Sequence, residues 1–267
     1  MGDWTPAIWR SPKLAEAAAK FSSFDDLEIM REMPEIRIRA IKEPRSNFES
    51  TEAASPGSFP ILKSKGTDGQ MLIRSTPDDH WIPSNRSNQI RKTNVGGYAV
   101  TDRILNKAGC LLVTFGQDSS TGRLTAVAAD EAYVGTGWMP VSGMTSKEAK
   151  AIAVFINSTA GRVQVMSNAS RKITFPQYNP ASIGNIRIPD FKDDYIRSTL
   201  ADCWERTKDM EVPQFRDGEC EVRRLWDEAV AEAMGWDADE LARLRHLLHR
   251  EPHVSGLGYN QYADEVE

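Results

Sequence analysis

Cysteine is scarce in this chain of 267 residues. Cys110, Cys203 and Cys220 are the three present, widely spaced, with no Cys-x-x-Cys. An odd, scattered set provides neither a disulfide framework nor a zinc ribbon, and it suits a reducing cytoplasm, the expected location. No run of 18 apolar residues occurs, so no membrane span is expected. The opening "MGDWTPAIWR" has no basic segment ahead of an apolar one, so it does not read as a secretory signal. Pro6 stands where a myristoylation motif needs Ser or Thr.

Catalytic signatures are missing as well. There is no Gly-x-x-x-x-Gly-Lys-Ser/Thr phosphate loop, no Gly-x-Gly-x-x-Gly opening a helix, and no Gly-x-Ser-x-Gly elbow. No Asp/Asn-Pro-Pro-Tyr/Phe appears, the motif that positions an amino group for methylation. Tyr178–Ser182 holds Asn-Pro but not the second Pro and aromatic. The nearest acidic cluster, Asp78–Asp79–His80, lacks the Glu-x-Lys partner of a metal-dependent nuclease. His246, His249 and His253 recur at i, i+3 and i+7, but Pro252 interrupts the helix, and Arg243, Arg245 and Arg250 make that stretch a solvated cationic face. No catalytic residue, metal site or cofactor is therefore expected.

What is present is an ordinary globular composition, 40% hydrophobic and 27% charged, with a net charge of −5. The average hides an asymmetry. Residues 53–187 hold 15 Lys+Arg against 8 Asp+Glu, residues 188–267 hold 10 against 20, and residues 1–52 hold 8 against 10. A cationic middle of +7 suits a polyanion, and an acidic C-terminal part of −10 suits a different contact.

Ser11 and Pro12 open a short Ala-rich helix, and the following "FDDLEIMREM" suggests another turn or two. Ile36–Lys42 alternates apolar and basic residues, a half-buried strand whose open face carries Arg37 and Arg39. Extended runs follow from Phe59, a long polar loop is expected over 76–94, and buried strands at Cys110–Phe115 and beyond Arg123 precede a helix starting at Thr145. Thr145 and Glu148 form a capping box, and Ala149, Ile152, Ala153 and Ile156 share one face. After Asp190 the pattern is helical. One segment carries Tyr195, Leu200 and Trp204. A second carries Val222, Leu225, Trp226, Val230 and Met234 and stops at Gly235; a third is capped by Asp237 or Asp239. The fold class is α+β: a mixed-sheet domain over 1–190, a helical C-terminal region over 191–251 for partner or self association, and a polar tail over 252–267.

The strip "VFINSTAGRVQVMSNASRKITFPQYNPASIGNIRIPDF", Val154–Phe191, concentrates Asn157, Ser158, Thr159, Arg162, Arg171, Lys172, Gln177 and Tyr178 in one connected unit. Asn and Gln carry the paired donor and acceptor that bridge adenine N6 and N7, and Arg bridges guanine O6 and N7. Neighbouring Lys and Arg hold phosphates. The same Asn-Ser-Thr can also simply end a helix, with Gly161 as the breaker.

This strip resembles the target-recognition domains of type I restriction-modification specificity subunits and related N6-adenine DNA methyltransferases. Those domains carry a helix with Asn-Ser-Thr then Gly, a Lys-rich turn, an aromatic strip, and a strand ending in a short Ile/Val-Pro segment. Here these are Asn157–Thr159, Gly161, Arg171–Lys172, Phe175–Tyr178 and Ile186–Asp190. The resemblance runs loosely over 59–260 and is most specific over 151–190. It implies a single recognition module, a half-subunit, that binds double-stranded DNA for a separate N6-adenine methyltransferase or restriction subunit and is not itself catalytic. The residues expected to touch DNA are Arg123, Asn157, Ser158, Thr159, Arg162, Arg171, Lys172, Gln177 and Tyr178. The alternatives are a phage-defence scaffold that does not bind DNA, or a nuclease with an unrecognised site.

Overall fold

The structure is a computed structural model that describes residues 9–39, 48–51, 58–63, 79–83, 106–115, 124–171 and 176–255. Helix α1 spans Pro12–Ser23; Ser11 Oγ accepts from Leu14 N, and Pro12 sits where no intrahelical N–H is needed. The stretch read as more helix is instead strand β1 (Leu27–Ile29) and a 3-10 turn at Met30–Glu32. Tertiary pairing decides this, because β1 lies antiparallel to a strand 160 residues away, with Leu27 opposite Pro189.

Six strands follow in the next part of the chain: β2 (Arg37–Ile38), β3 (Phe48–Thr51), β4 (Phe59–Lys63), β5 (Asp79–Pro83), β6 (Gly109–Thr114) and β7 (Ala126–Thr136). With β8 (Trp138–Ser142) they form a mixed seven-stranded sheet in the order β2-β8-β6-β7-β4-β5-β3. Among the described residues only β4 and β7 run parallel, Ile61 opposite Val134. Strand β2 is shorter than expected, although Arg39 N extends the ladder to Pro140 O at 3.2 Å. Strand β5 falls within the stretch expected to be a long loop, and it holds Asp79 and His80 of the acidic cluster. Among the described residues no group of three or more His, Cys, Asp or Glu could hold a metal ion.

The expected helix from Thr145 is two helices, α2 (Ser146–Asn157) and α3 (Thr159–Ser167). The Thr145–Glu148 capping box is present. The break at Ser158 follows from close packing: a methyl built on Gly161 would lie 2.0 Å from Phe155 O. Glycine lets the second helix fold back against the end of the first. Gly161→Ala is expected to cost about 1–3 kcal/mol in urea unfolding, as an overpacked core position does; an unchanged midpoint would contradict this packing.

A hairpin of β9 (Ser170–Arg171) and β10 (Pro176–Gln177) leads into the short helix α4 (Pro180–Gly184) and then β11 (Arg187–Pro189). Helices α5 (Asp194–Thr207), α6 (Glu221–Met234) and α7 (Ala238–Arg250) come next, and α8 (Pro252–Ser255) closes the described chain. Helix α6 stops at Gly235 with φ 64°, and α7 is capped by Asp237.

Helix α2 covers β7 and β6, α5 packs along α2, and α6 and α7 follow in turn, with α7 reaching back to α1 and α3. One apolar cluster runs from Leu111 and Trp138 of the sheet to Trp204, Trp226 and Leu248 of the helices. The composition change at residue 190 thus coincides with no break in the core among the described residues. Of the apolar stripe in the region expected to associate with a partner, Val222, Trp226 and Val230 are buried in the chain's own core, and Leu225 and Met234 pack against it half-buried. No helix among the described residues is long and apolar enough to cross a membrane.

Candidate nucleic-acid interface

Asn157 ends α2 at 2% exposure. Its Oδ1 accepts from Thr125 N at 2.8 Å and Ala126 N at 3.1 Å, and its Nδ2 donates to Ala126 O at 2.7 Å. The amide completes the backbone bonding at the entry to β7, where peptide groups have no water to turn to. Ser158 caps α3: its Oγ accepts from Gly161 N and donates to Phe155 O at 2.7 Å.

Thr159 reaches the C-terminal helices. Its N and Oγ1 both donate to the carboxylate of Asp227 on α6 at 2.7 Å. Arg245 of α7 donates to the same carboxylate at 2.6 Å and to Glu219 at 2.8 Å. Burial lowers the Arg245 guanidinium, but its bonds to Glu219 and Asp227 outweigh this and hold it above its ordinary value.

Arg162 lies one turn further on, fully inside, its guanidinium carbon 4.9 Å from the centre of the Phe215 ring. Arg223 approaches the same ring at 3.8 Å. Cation–π attraction offsets part of the cost of burying such charges. Burial still pulls Arg162 down to about 9, with Arg223 adding to this and Tyr178 opposing it, so the group stays charged at neutral pH. Tyr178 is buried, with its hydroxyl donating to Met166 Sδ at 3.1 Å.

Asn157, Ser158, Thr159, Arg162 and Tyr178 are therefore between 1% and 4% exposed. Side chains so enclosed offer no surface to a base edge or a phosphate in this conformation. In this conformation they build the junction of α2, α3, β7 and the C-terminal helices. Arg171 and Gln177 lie on the β9–β10 hairpin, opposite Pro176 and Ser170 respectively. Lys172 and Arg123 fall outside the described residues. Of the histidines spaced i, i+3 and i+7, His249 is buried with its Nδ1 against Phe215 O.

Helix α4 follows β10 after Tyr178 and Asn179, and it packs on the 3-10 turn and on β2. The exposed Arg31 lies on that turn, Arg37 in β2 and Arg39 just beyond it. The alternation in "EIRIR" signalled Arg37 and Arg39 as a cationic face.

No protein-family model matches the chain, and no curated protein matches it. Its fold matches part of a restriction enzyme. The solved structure is that of the type IIG restriction endonuclease BpuSI, aligned over 94% of this chain and 34% of that one, with a TM-score of 0.56 and 12% identity. The likeness is one of fold, and the chain spans about a third of BpuSI's length. Strand β2 forms one edge of the seven-stranded sheet. A groove of about 920 Å³ between α1 and α7 is a different kind of surface. Lys13, Lys20 and Arg243 line it beside Glu16, Asp237 and Glu240, and a Lys20–Glu240 ion pair of 2.9 Å spans it. Such walls carry both signs and do not suit a polyanion.

Proposed function

We propose that the chain is a sequence-recognition module that binds duplex DNA on behalf of a separate methyltransferase or restriction chain, and that it is not itself the catalyst. The observation that carries this reading is the alignment of 94% of the chain onto about a third of a restriction endonuclease. A fold that forms a fraction of such an enzyme suits one of its parts. The local charge of +7 over residues 53–187 supplies the sequence-independent attraction. Arg123, Arg171 and Lys172 hold phosphates, and Gln177 reads a base edge. The acidic helical part faces the partner chain through its exposed surface, since its apolar stripe packs inward.

The test is binding to a randomised duplex library, followed by affinity for a preferred and a scrambled duplex at several salt concentrations. Replacing both Arg171 and Lys172 with Ala is expected to weaken binding to all duplexes alike and lower the salt slope by roughly 2. Gln177→Ala is expected to relax preference by about 1–3 kcal/mol. Cleavage of the duplex by the purified chain with magnesium would replace this reading with a nuclease.

A further inference from the structure

We infer that Asn179 is a positioning residue for base reading: it fixes the foot of the β9–β10 hairpin, and with it the backbone that carries Gln177. This rests on the DNA-recognition reading. The Asn-Pro within Tyr178–Ser182, which falls short of a methylation motif, thus has a different use.

The hairpin does not place itself. Its ladder is two residue pairs, Arg171 opposite Pro176 and Ser170 opposite Gln177. A two-stranded ladder that short is marginal alone, so its orientation comes from its two ends. At the first end, Asn168 N and Nδ2 both donate to Gln164 O, at 3.0 and 2.9 Å, which holds the chain to the last turn of α3. At the second, Tyr178 N donates to Phe115 O at 2.7 Å, and Phe115 N donates to Gly137 O at 3.2 Å. The residue after Gln177 is therefore tied, through the end of β6, to the glycine between β7 and β8.

Asn179 fixes the next step of the chain. Its Oδ1 accepts from Ala181 N and Ser182 N, both at 2.9 Å, and its N donates to Ser182 Oγ at 2.8 Å. Pro180 confines Asn179 to extended backbone, with φ −133° and ψ 169°. The helix it caps is itself seated, because Ile183 is buried and a methyl on Gly184 would lie 3.0 Å from Arg31 Cβ. With Tyr178 and Asn179 both held, the backbone at Gln177 leaves them in one direction. Asn179 is exposed, so its bonds are not needed to satisfy the interior. A cap on a five-residue helix also adds little helix stability. A paired contact to a base edge, by contrast, needs both of its bonds within reach at once, and a pivoting foot would forfeit that.

The full chain is compared with Asn179→Ala, Asn179→Ser, Gln177→Ala and an Asp193→Ala control. Affinity for a preferred and a scrambled duplex is measured at several salt concentrations, where every variant is folded. Asp193 caps α5 in the same way, accepting from Tyr195 N at 2.8 Å and Ile196 N at 3.1 Å. Asn179→Ala is expected to cut the preference about tenfold, within the roughly 5- to 150-fold that a bidentate base contact carries. Its salt slope is expected to be unchanged, since no phosphate contact is lost. Asn179→Ser keeps an acceptor for the cap and lacks the amide donors, and it is expected to keep most of the preference. Asp193→Ala is expected to keep all of it. If Asn179→Ala keeps the preference, Asn179 is a cap alone and this inference is overturned. It is overturned equally if Asn179→Ser loses as much as Asn179→Ala, because the capping oxygen is then not what matters. If the unaltered chain prefers no duplex, or Gln177→Ala keeps the preference, the recognition reading itself fails and this inference falls with it.

Discussion

Asp227→Ala is expected to lower the unfolding free energy by about 3–5 kcal/mol, the cost of removing one member of a buried ion pair. Asp227 is 2% exposed and accepts from Thr159 N, Thr159 Oγ1 and Arg245. Without its carboxylate, the Thr159 N–H at the start of α3 loses its partner away from water. Arg245 keeps Glu219, which is half exposed and holds it less firmly. The measurement is the urea midpoint of the full chain. Asp227→Leu combined with Arg245→Met is expected to recover most of the loss, because an apolar pair removes the buried charge altogether. A loss below about 1 kcal/mol for Asp227→Ala would mean that water or Glu219 replaces the carboxylate, and that α3 is not tied to α6 and α7 by this contact.

Local signals in the sequence were read correctly where local chemistry decides the outcome. Ser11, the Thr145–Glu148 box, Asp237 and Gly235 all terminate helices as their side chains or φ values dictate. The α+β class follows from the same periodicities. Residues 27–32 escaped that logic, since β1 exists only through its pairing with β11. So did the split at Ser158, which depends on how closely Gly161 approaches Phe155.

The polar strip shows why a site is harder to read than a fold. A base edge and an unpaired peptide ask for the same thing, a donor beside an acceptor. Asn157 offers its amide to Thr125 and Ala126 in the way it would offer it to adenine. Composition cannot tell these apart, because burial depends on β7 passing beneath the end of α2. Arg162 is similar: the cation that would suit a phosphate is enclosed against Phe215, which lies 53 residues later.

Asn157→Ala separates the two roles most directly. Truncation strands two N–H groups and one carbonyl in the interior, each worth roughly 1–3 kcal/mol if left unmet and not fully additive. A loss of about 3 kcal/mol in unfolding free energy is expected. Asn157→Asp is expected to be destabilising too, because it keeps both acceptor bonds but loses the donor to Ala126 O and buries a charge. For the fraction that remains folded, the ratio of affinities for a preferred and a scrambled duplex is expected to be unchanged. Gln177→Ala is expected to behave in the opposite way, losing preference with little change in stability. The measurement pairs urea unfolding with duplex titration at one salt concentration, at a temperature where every variant is folded. If Asn157→Ala instead kept its stability and lost its preference, the amide would have to turn outward to the duplex, and the junction of α2 with β7 would have to open when DNA binds.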